Sequence, residues 1–231
     1  MRNYKHIFFD LDHTLWDYDA NAREALYELY ERYGFGQLGL FEKELLADTF
    51  FEVNEGLWDL YNRSEIQRRD IRERRFPAIF QKLDASLEHM PYRIEEEYIA
   101  LAPTKNRTFE AAHEVLDYLN EKYMLHIITN GFDDIQATKL QSSQLDQYFD
   151  VVITSESSKM RKPDPRIFEL ALDKTDAALE ESIMIGDNLN ADIAGAVNVG
   201  MDHVWFNPNK ISTDRSVQHE IQNLIELKSI L

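Results

Sequence analysis

Two carboxylates, Asp10 and Asp12, follow directly on the apolar run at 7–9, and Thr14 comes close behind. Taken alone, such a pair is also what exposed acids at any strand end look like. Other groups stand in the same kind of place. Thr129 and Asn130 close the run MLHIITNG, Lys162 sits just before Pro163 in SKMRKPDP, and Asp187 ends SIMIGD with Asp192 five residues on. Carboxylates crowded together repel, and a bound divalent cation relieves the repulsion. An oxygen donor set, with no cysteine and no ligand-spaced histidine pair nearby, favours Mg²⁺ over Zn²⁺. A hydroxyl and an ammonium beside such a cation hold the remaining oxygens of a phosphoryl group. Positioning and charge neutralisation are most of what phosphoryl transfer asks of a protein.

For these groups to meet, the elements that carry them must end at one edge. KHIFFD, MLHIITNG, FDVVITS, SIMIGD and HVWF read as five strands, separated by helical stretches such as TFEAAHEVLDYLNEKY, a helix near 134–143, RIFELALDK and ADIAGAVNVG. Strands alternating with helices predict an α/β fold with a parallel, Rossmann-like five-stranded sheet covered on both faces. Ligands of such sheets bind beyond the carboxyl ends of the strands. The tail QHEIQNLIELKSIL has amphipathic helical spacing.

Between Asp19 and about Ala102 the texture is helical throughout. Asp19 is the expected N-cap of ANAREALYELYERYG, which stops at Gly34. Further helices are predicted from about Glu42 to Asn62 and from Glu65 to Leu83, the last kinked or divided at Pro77. This block is an insertion after the first strand, so the expected domains are a core of 1–16 with 104–231 and a helical cap of 17–103.

Composition narrows the function. The chain of 231 residues is 44% hydrophobic and has no cysteine, which excludes a disulfide framework and a thiolate nucleophile. Its formal charge of −17 repels polymeric nucleic acid. The arginine-rich RRDIRERR, residues 68–75, alternates with acids and reads as a salt-bridged solvated helix face. No apolar run reaches membrane-spanning length and no signal peptide is evident, so a cytoplasmic protein acting on a small molecule is expected. Trp16 and Trp58 are read as core residues.

The set DLDHT, TNG, KPDP and GDNLNAD, in that order, resembles the four motifs of the haloacid dehalogenase-like hydrolase superfamily. The helical insertion resembles that superfamily's C1 cap. DLDHTLWDY and TNGF are similar to the pyrimidine 5′-nucleotidase subgroup, of the YjjG/YfnB type. The resemblance implies Asp10 as a nucleophile that forms an aspartyl-phosphate and Asp12 as general acid and base, its main-chain carbonyl also reaching the metal. Thr129 and Lys162 match the phosphate-binding hydroxyl and lysine; Lys159, Arg161 and Arg166 are rivals set aside because the match places the lysine immediately before Pro163. Asn130 is expected to contribute its backbone N–H. Asp187 matches the acidic ligand of Mg²⁺, which the nucleophile Asp10 is expected to hold as well, with Asp192 and Asn188 behind them.

The resemblance thus implies a Mg²⁺-dependent phosphatase of small phosphate monoesters, foremost nucleoside 5′-monophosphates. Sugar-phosphate phosphatase and phosphomutase are the alternatives within the superfamily. Asp12 speaks against a dehalogenase, whose halide leaves without a proton, and His13 stands where mutases commonly have glycine. A receiver domain would carry its acceptor acid on a middle strand and has no place for the insertion. A non-catalytic regulator would not need every motif position filled by a competent residue. Asp12→Asn is therefore expected to lower turnover severely while leaving Mg²⁺ affinity largely intact. Parallel metal titration and kinetics check this, and equal losses of both would count against the acid/base role.

Overall fold

His6–Phe9 (β1) is buried at every position, a pattern suited to the middle of a sheet covered on both faces. In the computed structural model, which describes residues 3–231, β1 is flanked by β2 (Met124–Thr129) and β4 (Ser182–Gly186). Residues 1 and 2, part of the expected core range, lie outside the described residues. Beyond β2 lies β3 (Val151–Thr154), and beyond β4 lie β5 (Asp202–Phe206) and β6 (His219–Ile221), so the order is β3-β2-β1-β4-β5-β6. Every pairing is parallel. Phe9 lies opposite Ile127 on one side and Ile185 on the other. The segments after Phe9, Ile127 and Ile185 therefore leave the sheet at one edge, where the connections diverge to opposite sides of β1.

The sheet has six strands, not five. The sixth comes from the tail read as one amphipathic helix. His219–Ile221 is too short to display a period of two, and Leu224 and Leu227, both buried, imitate a helical stripe. Only Leu227–Ile230 (α10) is α-helical there, entered through a turn at Leu224–Glu226 that Asn223 caps.

The helices in chain order are α1 (Tyr18–Tyr33), α2 (Lys43–Asn62), α3 (Arg68–Lys82), α4 (Ile94–Leu101), α5 (Ala112–Asn120), α6 (Asp133–Ser142), α7 (Ser155–Ser158), α8 (Pro165–Thr175) and α9 (Ala194–Val199) before α10. Ile7 and Phe9 pack on one face with Val115, Leu116 and Leu119 of α5, while Phe8 packs on the other with Ile167, Phe168 and Ala171 of α8. This is the alternation a strand imposes. None of the helices is long and apolar enough to cross a membrane, among the described residues.

The chain divides into two compact units, residues up to 18 with 106–231, and 19–105. The divisions fall two residues later at each junction than the sequence boundaries. In the helical unit, α1 begins at Tyr18, so Asp19 lies in its first turn rather than at the cap, and Gly34 ends it at φ +63°. α3 runs unbroken through Pro77; Glu73, whose carbonyl loses its partner to that proline, is exposed to water. Arg69–Glu73 and Arg74–Asp70 form the expected solvated pairs. Arg75 instead turns inward, onto Glu95 at 2.5 Å and Asn54 at 2.8 Å, against the rings of Phe50 and Tyr98.

In the core, His6 Nδ1 and His126 Nε2 lie 3.1 Å apart with stacked rings, both side chains buried. Burial lowers both, and His6 beside it helps push His126 down to about 4. An unfolded chain takes up these protons near pH 6.5 and the folded one does not, so stability is complete above that pH and falls as pH drops towards 4. The loss from His126 is about 3 kcal/mol. Urea unfolding at pH 7.5 and 5 should show the decline, and His126→Gln should flatten it; an unchanged slope would mean that the pair is already protonated when folded.

Candidate active site

Asp10 leaves the sheet with its N–H bonded to Ile185 O at 2.9 Å, which ties β1 to β4 at the point where the acids begin. Its Oδ1 is 2.5 Å from Lys162 Nζ. That ammonium, 2% exposed, also reaches Ile128 O at 2.5 Å and Asp192 Oδ1 at 2.7 Å. Of its rivals, Lys159 and Arg166 are exposed, and Arg166 pairs with Asp164.

Asn130 explains how the lysine arrives. Its side-chain Oδ1 accepts from Lys162 N at 2.8 Å and its Nδ2 donates to Lys162 O at 3.0 Å, a two-point clamp on that residue's backbone. This side-chain clamp is a second role for Asn130, beside the backbone N–H expected from the sequence. Ser155 Oγ donates to Asn130 O at 2.8 Å and steadies the clamp from α7.

Asp187 is held by Thr14. The threonine hydroxyl donates to Asp187 Oδ1 at 3.2 Å and accepts from Asp187 N at 3.1 Å, while Trp205 Nε1 donates to Asp187 O at 2.7 Å. Asp192 is buried, and its Oδ2 accepts from Asn188 N at 3.0 Å. Gly186 permits this approach: a Cβ there would lie 2.3 Å from Asp192 Oδ2. Asn188 spends its side chain on Asn190 N and Ala191 N, closing the π-helical turn Leu189–Ile193. One carboxylate oxygen each of Asp10, Asp187 and Asp192 lies within 4.8 Å of the others. Asp10, Asp187 and Asp192 together are the group that could hold a cation, with Lys162 shared between Asp10 and Asp192.

Asp12 faces another set. Lys139 Nζ is 2.6 Å from its Oδ1, and Gln136 Nε2 donates to its Oδ2 at 2.9 Å. Gln136 Nε2 also donates to Thr129 Oγ1 at 2.7 Å, and Gly131 N donates to the same oxygen at 3.1 Å. Lys139 lies 4.5 Å from the centre of the Trp16 ring and 5.5 Å from that of Tyr18. The backbone folds tightly here: His13 adopts φ +61° and its N–H bonds Trp16 O at 3.0 Å. A left-handed residue at this position is one that glycine would fill without strain.

Electrostatics separate the two acids of the first motif. Burial pushes the Asp10 carboxyl up, Lys162 pulls it back and Asp192 raises it again, to about 7. Burial, then Asp192 and Asp10, hold Asp187 well above the usual carboxylate range. For Asp12, burial works the same way, but Lys139 and then Gln136 outweigh it and hold the group below its ordinary value. Lys162 is raised, its burial more than offset by Asp10 and Asp192. Two acids shifted upward by burial and then by neighbouring acids, Asp192 foremost, form a charge distribution that a divalent cation would relieve.

The structure thus brings Asp10, Lys162, Asp187 and Asp192 into one cluster and Asp12 with Thr129 into an adjoining one. Gln136 and Lys139 were missed by sequence reasoning. With Leu140 they fall at i, i+3 and i+4 and form the buried face of α6, but two of the three are polar, so no apolar stripe marked that face in the sequence.

A parallel α/β sheet with an acid pair at the end of its central strand and a buried lysine against the first acid defines a class of hydrolases. The family model for haloacid dehalogenase-like hydrolases matches residues 4–200. The chain belongs to that family. It is 33% identical over 221 residues to pyrimidine 5′-nucleotidase PynA of Streptococcus pneumoniae, covering 93% of this chain and 89% of that protein. It is 35% identical over 217 residues to a glyceraldehyde 3-phosphate phosphatase of Pyrococcus furiosus, covering 91% and 83%. Among solved structures, YfnB of Bacillus subtilis, a putative HAD-hydrolase described as bound to magnesium, superposes with a TM-score of 0.86 at 26% identity over 99% of this chain and 98% of that one.

Removing the ammonium tests this electrostatic account. Lys162→Met leaves Asp10 and Asp192 buried without their cation and should lower unfolding free energy at pH 7 by about 3–5 kcal/mol. Adding Asp10→Asn to that variant should restore part of the loss. Denaturant titration of the three chains decides, and an unaltered Lys162→Met would mean that the acids are neutral in the resting protein.

Proposed function

We propose that the protein is a Mg²⁺-dependent phosphatase that hydrolyses small phosphate monoesters through an aspartyl-phosphate on Asp10, with nucleoside 5′-monophosphates, the pyrimidine ones foremost, as substrates. The observation that carries the reaction type is Asp12: a second acid, fixed on both oxygens, beside the first. A halide leaves without a proton, whereas the alkoxide of a phosphate ester needs one.

In this reading, Asp10 attacks phosphorus and the ester P–O bond breaks. Asp12, ionised at rest beside Lys139 and Gln136, first takes up a proton as the phosphate monoester binds in its monoanionic form, and then gives that proton to the departing oxygen. The Asp12 carboxylate then takes a proton from water, whose oxygen attacks phosphorus and releases inorganic phosphate, regenerating Asp10. Lys162 and the Thr129 hydroxyl hold phosphoryl oxygens, and Asn130 keeps Lys162 in place. Asp10, Asp187 and the main-chain carbonyl of Asp12 would hold Mg²⁺, which when bound supplies charge neutralisation to the acids and to the phosphoryl group. Asp192 contributes by anchoring Lys162. In this reading the helical unit 19–105 is the C1-type cap that the sequence resemblance implies.

Substrate identity leans on the relatives. PynA is a pyrimidine 5′-nucleotidase, and the DLDHTLWDY and TNGF stretches resemble that subgroup. The Pyrococcus relative, at comparable identity, makes a triose- or sugar-phosphate the second reading.

Phosphate release from 5′- and 3′-nucleotides, deoxynucleotides, sugar phosphates and an aryl phosphate, with Mg²⁺ and with chelator, discriminates. The expected result is metal-dependent release, fastest on pyrimidine 5′-monophosphates and absent in Asp10→Asn. Fastest release from glyceraldehyde 3-phosphate or another sugar phosphate would establish the second reading, and release unaffected by Asp10→Asn would end the proposed mechanism.

A further inference from the structure

Gln136 and Lys139 sit one turn apart on α6, and neither belongs to the four motifs. Lys139 is 5% exposed and Gln136 fully buried. Burying a cation and an amide here is costly unless each is matched. The Lys139 ammonium is matched by Asp12, and the Gln136 amide nitrogen is matched by Asp12 and Thr129, which leaves the amide only its buried Oε1 without a hydrogen bond. We propose that Gln136 and Lys139 are positioning residues that fix the Asp12 carboxylate and aim the Thr129 hydroxyl as one unit, an inference that rests on the phosphatase reading.

The hydrogen bonds leave little freedom. Thr129 Oγ1 accepts from Gln136 Nε2 at 2.7 Å and from Gly131 N at 3.1 Å. A hydroxyl has two acceptor sites and one donor. With both acceptor sites filled, its hydrogen must point to another group, and a phosphoryl oxygen is such an acceptor. Asp12 receives Lys139 on Oδ1 and Gln136 on Oδ2. A carboxylate has about four lone-pair sites, so this grip fixes the plane of the group and still leaves a lone pair on each oxygen for proton transfer.

Two further features hold the pair. The Lys139 ammonium is confined between Asp12 and the rings of Trp16 and Tyr18, which attract a cation to their faces. Gln136 is seated by Gly131, where a Cβ would stand 2.3 Å from Gln136 Nε2. Gly131 has no left-handed backbone to justify a glycine. The close approach of that amide accounts for it. The TNG glycine is thus part of the same device, and Gly131→Ala displaces Gln136 without changing it.

Leaving groups separate positioning from mere stability. p-Nitrophenolate departs without a proton, so the first chemical step on p-nitrophenyl phosphate is insensitive to Asp12, whereas breakdown of the aspartyl-phosphate and both steps on uridine 5′-monophosphate depend on it. Lys139→Met should lower kcat on uridine 5′-monophosphate about 10- to 100-fold with little change in KM, a part of the roughly 10²–10⁴ that a general acid or base contributes. On p-nitrophenyl phosphate the variant should release a burst of about one equivalent and then turn over slowly, as Asp12→Asn should. Gln136→Leu and Gly131→Ala should also weaken inhibition by inorganic phosphate, which Lys139→Met should leave unchanged. Lys139→Arg should recover most of the turnover and supplies the comparison if the methionine variant does not fold. Unchanged kcat in Lys139→Met, or a burst slowed as much as ester turnover, would reduce the pair to a structural ion pair. Wild-type chain that releases phosphate from neither substrate would overturn the phosphatase reading itself, and the positioning role with it.

Discussion

One buried ammonium governs how closely the acids of this protein can approach. Lys162 stands between Asp10 and Asp192 and is itself tied to the end of β2 through Ile128 O. Without that charge, three carboxylates gathered within 4.8 Å would be held in a largely dry setting by nothing but the chain. Much of the surrounding architecture serves to deliver it. Asn130 grips its backbone from the end of one strand, and Gly186 clears space for Asp192 at the end of another.

A second cation repeats the arrangement with the opposite result. Lys139 meets Asp12 with Gln136 alongside and no other acid of the cluster bonded to it, so the carboxyl is held down, whereas Asp10 shares Lys162 with Asp192 and is driven up. Two carboxyls two residues apart are thereby given different proton affinities by their neighbours rather than by their chemistry. Such divergence is the usual sign of two acids with different tasks. It depends on a turn tight enough to send successive side chains to different partners, which the left-handed backbone of His13 supplies.

Much of this is legible in the sequence alone. Strand ends with polar residues after apolar runs place Asp10, Thr129 and Asp187 at one edge, because parallel pairing sends those ends to the same side, whereas Lys162 lies beyond α7 and is brought there by Asn130. What stayed hidden has specific causes. β6 is three residues long, too short for periodicity, and its flanking leucines mimic a helix. Lys139 and Gln136 lie in a helix whose sequence has no clear apolar stripe, so their inward direction emerges only once Trp16, Tyr18 and Asp12 surround them. Trp16 itself reads as a core residue, which it is, but its ring also carries the lysine. The side-chain clamp of Asn130 on Lys162 was not foreseen, since side-chain bonds to a loop 32 residues away leave no local pattern.

The indole of Trp205 donates to the carbonyl of Asp187, and the ring of Trp16 lies under Lys139. The chain has three tryptophans, so two of them report on the two halves of this cluster, while Trp58 belongs to the separate helical unit. Indole emission responds to nearby charge and to the strength of its own hydrogen bond. The protein therefore carries its own optical probes, one against the Asp187 loop and one against the cation that grips Asp12. Replacing Trp58 with phenylalanine would leave a chain whose intrinsic fluorescence reads ligand arrival at these acids directly, with no label attached.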